Sequence, residues 1–165
     1  MPIVGGTYIV YPVQPNDTLY AVANKLGSTV PGMSQINGIF PPFLEPEGIY
    51  PGQWLIAPVP DETNAQNRVL YVVQPGDSLY GIAQDFSIPV QNLINANPQL
   101  MNADALQPFQ LIEVPINVFA VSTGDSLFSI SQALGVSPQT IIQMNQRRPG
   151  FSPSALPAGY GLLVP

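Results

Sequence analysis

A short polar signature recurs three times in the chain: an aspartate, a hydroxyl residue, a leucine and an aromatic ring. It reads Asp17-Thr18-Leu19-Tyr20, Asp77-Ser78-Leu79-Tyr80 and Asp125-Ser126-Leu127-Phe128, preceded by Asn16, Gly76 and Gly124. A carboxylate next to a hydroxyl at a turn suits two jobs. It caps the exposed N–H groups at a helix start, worth about 1 kcal/mol, or it offers acceptors to a ligand. Acid–base hydrolysis fits less well. Glycoside cleavage uses two carboxylates roughly 5–10 Å apart across a cleft, and the acidic residues here are scattered, with one recurring aspartate per copy. The chain contains no His and no Cys. That removes the commonest general base and transition-metal ligand, together with thiolate and disulfide chemistry. No His-based triad and no metal site can be assembled, no cofactor is implied, and catalysis by this chain alone is not expected.

Composition narrows the partner. Of 165 residues, 45% are hydrophobic and only 8% charged, against about 25% charged in an ordinary soluble domain. Ten acidic residues face four basic ones, for a net charge of −6. So few cations cannot track a phosphate backbone or an anionic bilayer, which excludes nucleic acid and the membrane surface as partners. A neutral ligand suits this surface better. No apolar run approaches the roughly 20 residues of a membrane span. The opening MPIVGGTYIVYPV has no basic segment followed by an unbroken apolar stretch, so no signal peptide is expected in it.

The elements that must position the signature are themselves repeated. Each aspartate has a Val four residues before it (Val13, Val73, Val121) and an Asn twenty residues after it (Asn37, Asn97, Asn145). Each copy closes on an apolar run ending at Pro58, Pro115 or Pro165. Repetition at this period marks an array of small units. Each reads as strand, helix, helix, strand. The β-rich runs YIVYPV, VLYVV and VFAV precede the turns QPND, QPGD and STGD. Leu19, Val22, Ala23 and Leu26, with their counterparts, then recur at helical spacing. A second helix follows through Met33, Leu93 or Ile141 and should end at the Asn, a residue that accepts a left-handed cap. Pro12 fits a two-stranded sheet, in which both strands are edges. The units occupy 7–60, 69–115 and 116–165, with a linker at 61–68, so the second and third should lie close and the first should be tethered more loosely. Units of this size have no room for a deep enclosed cleft.

These motifs carry a resemblance. VQPGDSLYGIA (Val73–Ala83), LINAN (Leu93–Asn97) and IYPGQWLIAP (Ile49–Pro58) resemble the lysin motif (LysM) family, in three tandem copies over nearly the whole chain. The resemblance implies an α+β fold of three small βααβ domains, each with two helices on one side of a two-stranded antiparallel sheet. It implies binding of N-acetylglucosamine polymers such as peptidoglycan and chitin. It also implies a shallow groove between two loops. Carried over by position, the first loop is Asn16, Asp17, Thr18, Leu19 and Tyr20 in unit one. It is Gly76, Asp77, Ser78, Leu79 and Tyr80 in unit two, and Gly124, Asp125, Ser126, Leu127 and Phe128 in unit three. The second loop contributes Ile49, Leu106 and Leu156. Backbone N–H and C=O groups there would pair with the acetamide, and an apolar wall would take its methyl group.

Each side chain also has a purely structural reading. The aspartates serve as helix caps, the leucines as core, and the aromatic residues equally well as packing or groove wall. Three departures stand out. Asn16 replaces a Gly, Phe109 stands where Gly is expected, and Arg147 and Arg148 enter the second loop of unit three, either to meet glycan carboxylates or as solvated charges. The function expected is therefore non-catalytic anchoring at a bacterial cell wall, spore surface or extracellular glycan; the bacterial type is suggested by the missing cysteines. A separate catalytic or coat-protein partner is compatible. The alternative is a structural or assembly protein of a spore coat or wall layer.

Overall fold

The computed structural model describes residues 6–39, 49–59, 67–100 and 106–165. Unit one comprises β1 (Gly6–Pro12), α1 (Leu19–Leu26), α2 (Val30–Asn37) and β2 (Trp54–Val59). Unit two comprises β3 (Asn67–Val72), α3 (Leu79–Asp85), α4 (Val90–Ala96) and β4 (Leu111–Val114). Unit three comprises β5 (Asn117–Ala120), α5 (Leu127–Leu134), α6 (Pro138–Asn145) and β6 (Gly161–Val164). The class is α+β, built from three βααβ repeats.

The first helices start on the hydroxyl residue, not on the aspartate. Thr18, Ser78 and Ser126 accept the N–H of Ala21, Gly81 and Ser129. Each aspartate lies one residue too early to cap the helix and instead closes the preceding turn. Asp17 Oδ2 accepts from the Gln14 N–H at 2.8 Å and the Tyr11 hydroxyl at 2.7 Å. Asp77 accepts from the Gln74 N–H at 2.8 Å and Tyr71 at 2.9 Å. Asp125 accepts from the Ser122 N–H at 2.8 Å; the residue matching Tyr11 and Tyr71 is Phe119, which has no hydroxyl to give.

The three asparagines do not act as left-handed caps. Gly38 does that work after Asn37, and Asn97 has φ −128°. Their side chains are buried and join helix to closing strand. Asn37 Nδ2 donates to the Met33 and Ile56 carbonyls while Oδ1 accepts the Ile56 N–H. Asn97 repeats this with Leu93 and Glu113, and Asn145 with Ile141 and Leu163. The Asn amide carries a separate carbonyl acceptor and NH2 donor on a short side chain, as a peptide group does, so it substitutes for a rung of the β-ladder.

The first unit is not loosely tethered. β1 pairs in parallel with β3, giving a four-stranded sheet of order β2-β1-β3-β4. Most of the expected linker lies outside the described residues, while Asn67 and Arg68 belong to β3. Alternation along the shared strands covers both faces. Ile9, Tyr11, Leu55 and Ala57 meet unit one's Leu19, Val22 and Met33 on one face. Tyr8, Val10, Trp54, Val69 and Tyr71 meet unit two's Leu79, Ile82, Phe86 and Leu93 on the other. Pro12 therefore sits on an inner strand, but beyond the last β1–β3 pair, Val10 with Tyr71, where its missing N–H breaks no inter-unit rung. Unit three keeps its own two-stranded sheet over a core of Phe119, Ile130, Ile141 and Leu162.

Arg148 fastens unit three to unit one. It is only 3% exposed, and its guanidinium donates to Asn37 Oδ1 and to the carbonyls of Ile36, Trp54 and Gly161. Burial pulls its pKa down to about 10, against a smaller opposing pull from Tyr160. The approach is close enough to demand glycine: a Cβ on Gly161 would lie 2.5 Å from Ile36 Cγ1. Arg148 is thus neither a solvated charge nor a ligand contact.

Candidate functional site

In unit three the two loops face each other across an open cavity of about 380 Å³. Asp125, Ser126, Leu127 and Phe128 line one side, and Pro153, Ser154 and Leu156 the other, with Pro138 from α6. The first loop reaches this position because Gly124, at φ 89°, reverses the chain at the end of β5 and Ser126 starts α5. Phe128 is 68% exposed, as befits a wall facing solvent. Leu127 is buried and holds the loop to the core. Pro138, Pro153 and Ser154 escape sequence reasoning from the aspartate anchor, although the Pro- and Ser-rich run FSPSALP marks a turn-forming loop.

Units one and two build the same first loop. Asn16 at φ 69° replaces the glycine found at Gly76 and Gly124 without losing the turn. Thr18 and Ser78 cap their helices as Ser126 does. Tyr20 and Tyr80 are 71% and 67% exposed, whereas Leu19 and Leu79 are buried in the core. Ile49 is also buried, so its side chain faces inward rather than across a groove, and Leu106 is half-buried against the core of unit two. A smaller hollow of about 250 Å³ adjoins Tyr80 between α3 and α4, lined also by Gln84, Ile88 and Val90. The rest of the second loops, residues 40–48 and 101–105, lies outside the described residues. The first loops of units one and two touch: Gln14 Nε2 donates to Gln74 Oε1 at 2.6 Å. These two loops therefore lie side by side at one end of the shared sheet.

Electrostatics in the unit-three groove are simple. Asp125 is its one ionisable side chain, and no basic residue lines it. Neither loop arginine reaches it: Arg147 lies over the Trp54 ring at 4.9 Å and pairs with Asp85 at 2.9 Å. The titrations that burial does perturb lie in the core. The Tyr11 and Tyr71 phenols are pushed well above their usual range, first by desolvation and then by the aspartates that accept their hydrogen bonds. Among the described residues, no group of three or more acidic side chains is placed to hold a metal ion.

Phe109 takes φ 66°, where its counterparts are Gly52 and Gly159 at φ 90° and 87°. Its N–H still closes the turn on the Val73 carbonyl at 2.6 Å. Phe109 lines a crevice with Tyr11, Lys25 and Leu26 of unit one.

A family model described as LysM domain matches residues 11–58, 71–115 and 120–165. The chain belongs to the LysM family. Among curated relatives, it is 32% identical to the secreted LysM effector ECP6 of Passalora fulva, over 66% of this chain and 53% of that protein. It is also 32% identical to the N-acetylmuramoyl-L-alanine amidase sle1 of Staphylococcus aureus (strain MRSA252), over 68% of this chain and 35% of the other. The crystal structure of the Bacillus cereus spore cortex-lytic enzyme SleL is similar over 66% of this chain and 22% of that one, with 31% identity and a TM-score of 0.44. The chain spans about half or less of these relatives, and the LysM matches account for most of its own length. Among the described residues, no helix is long and apolar enough to cross a membrane.

Proposed function

We propose that this LysM protein is a non-catalytic carbohydrate-binding module that recognises N-acetylglucosamine-containing glycans, peptidoglycan and/or chitin oligomers, and anchors at a cell wall, spore surface or other extracellular glycan. The observation that carries this reading is the unit-three groove. Phe128 and Leu156 offer apolar surface for an acetamido methyl and the C–H face of a sugar ring. Asp125, Ser126, Ser154 and the loop backbone offer hydrogen-bonding groups, with no cation to select an anionic ligand. A pyranose needs this mixture of stacking surface and directed polar groups.

An open site of this kind binds weakly, on the order of 0.1–1 mM. Three copies compensate, because linked sites on one polymer raise avidity by roughly 10²–10⁴ where geometry permits simultaneous contact. The packed units hold their loops at fixed separations, so the gain should appear only once an oligomer spans two of them. The test is a parallel pulldown on purified peptidoglycan, chitin and cellulose, with calorimetry on short and long chitin oligomers at low and high salt. Retention on the first two polymers and not on cellulose, with salt-insensitive affinity that rises with length, supports the proposal. Equal retention on cellulose contradicts it. Falling turbidity or released reducing ends would contradict the non-catalytic part.

A second reading, assembly with a protein partner in a coat or wall layer, is favoured by one observation: the exposed apolar surface at Phe109 and Leu111.

A further inference from the structure

The strand order β2-β1-β3-β4 is palindromic, with the helices of unit one on one face and those of unit two on the other. Units one and two are thus related by an approximate internal twofold axis along the sheet. The repeat identifies mated positions among the described residues: Trp54 with Leu111, Gly52 with Phe109, Asp85 with Lys25, and Phe86 with Leu26.

One of these mated sites is filled. Trp54 stacks on Phe86 at 4.6 Å and is 3% exposed, because the loop of unit three after α6 lies on it. Arg147 covers the indole ring and pairs with Asp85. The Arg147 carbonyl accepts the Trp54 N–H at 2.9 Å. A backbone acceptor, a flat side chain and a charge of sign opposite to the rim residue make up the docking.

The other site is open among the described residues. It is a crevice of about 350 Å³ lined by Tyr11, Lys25, Leu26, Val72, Phe109 and Leu111. Leu111 is 45% exposed and Phe109 59%. Phe109 keeps a left-handed backbone that is unfavourable for a non-glycine residue, at a position where both sister units use glycine. Strain of this kind clusters at functional sites. The rim charge is reversed: Lys25 stands where Asp85 stands opposite. Lys25 donates to the Tyr11 hydroxyl at 3.3 Å and meets no carboxylate among the described residues.

We propose that this crevice docks a loop of a partner protein that presents a carboxylate to Lys25 beside an apolar side chain on Phe109 and Leu111. A second copy of this chain offering the same arginine loop is disfavoured, since Arg147 would meet Lys25. The inference rests on the inter-unit geometry and stands or falls separately from glycan binding.

The test is an amide-resolved NMR titration of the full chain with a blocked heptapeptide, Asn-Gln-Glu-Leu-Pro-Gly-Phe. This is the unit-three loop with its two arginines replaced by Glu and Leu. Gln and Lys versions at the Glu position serve as controls. The expected result is shifts confined to the amides around Lys25, Leu26, Phe109 and Leu111, strongest for the Glu peptide, with affinity about two- to fivefold weaker in Lys25→Gln, as for an exposed ion pair. Phe109→Gly restores the sister residue and keeps the fold, and it should lose the shifts while retaining chitin-oligomer binding. Three results would overturn the proposal: equal response to all three peptides, no response at about 10 mM peptide, or movement of the same amides by chitin oligomers in place of the Glu peptide.

Discussion

At the residue scale, the repeated aspartate organises a turn, and the copies differ by one oxygen. Tyr11 and Tyr71 add a second bond to Asp17 and Asp77, while Phe119 leaves Asp125 with the Ser122 N–H. Tyr71→Phe should therefore destabilise by about 1–2 kcal/mol, and Phe119→Tyr should stabilise unit three by about 0.5–1.5 kcal/mol, both measured by urea unfolding. If neither changes the midpoint, the turn is held by its backbone alone. Alkali acts on the same phenols. Tyr8, Tyr11, Tyr71 and Tyr160 are all raised, chiefly by burial. The unfolded chain then releases these protons first, so stability persists below about pH 10 and is lost as pH rises beyond it. Arg148 acts in the opposite sense. Burial holds its folded pKa near 10, below that of the free side chain, so the cost of burying its charge eases as pH rises past 10. Four phenols outweigh one guanidinium, and thermal melts should show Tm falling above about pH 10.

At the element scale, much was legible from periodicity and turn chemistry. Helical spacing at Leu19, Val22 and Ala23 follows from a face that must be buried, and each hydroxyl after an aspartate begins a helix. The aspartates and asparagines were harder to read. The same residue types serve as caps, turn closures and clamps, and only the three-dimensional partner distinguishes the roles. Asn97 shows this. Its amide holds both backbone groups of Glu113 and the Leu93 carbonyl. Asn97→Ala orphans those groups in a buried site and should cost about 2–4 kcal/mol in chemical denaturation. A loss below about 0.5 kcal/mol would mean that water replaces the clamp.

At the scale of the whole molecule, the three units are one packed body, and this was not legible in the sequence. Linker length suggested a loose first unit, because pairing between β1 and β3 leaves no mark on either strand beyond the hydrophobicity each already needs. Arg148 was misleading for a similar reason: an arginine in a polar loop looks solvated until its four acceptors are assembled from units one and three. Arg148→Ala should remove those bonds, cost about 2–4 kcal/mol, and split a single calorimetric transition into two as unit three comes free. One unchanged transition would show that apolar contacts alone hold unit three. In the candidate groove of unit three, the first loop and Leu156 stand at positions the repeat marks, while Pro138, Pro153 and Ser154 come from segments whose spacing the repeat does not fix.

The most direct measurement is a backbone-amide titration of the intact chain with a chitin hexamer and, in parallel, with a cello-oligomer of equal length. Selective, salt-insensitive shifts at Asp125, Ser126, Phe128, Ser154 and Leu156 with the acetylated sugar alone are predicted. Equal shifts with both sugars, or shifts that avoid these residues, would contradict recognition of the acetamido group in this groove.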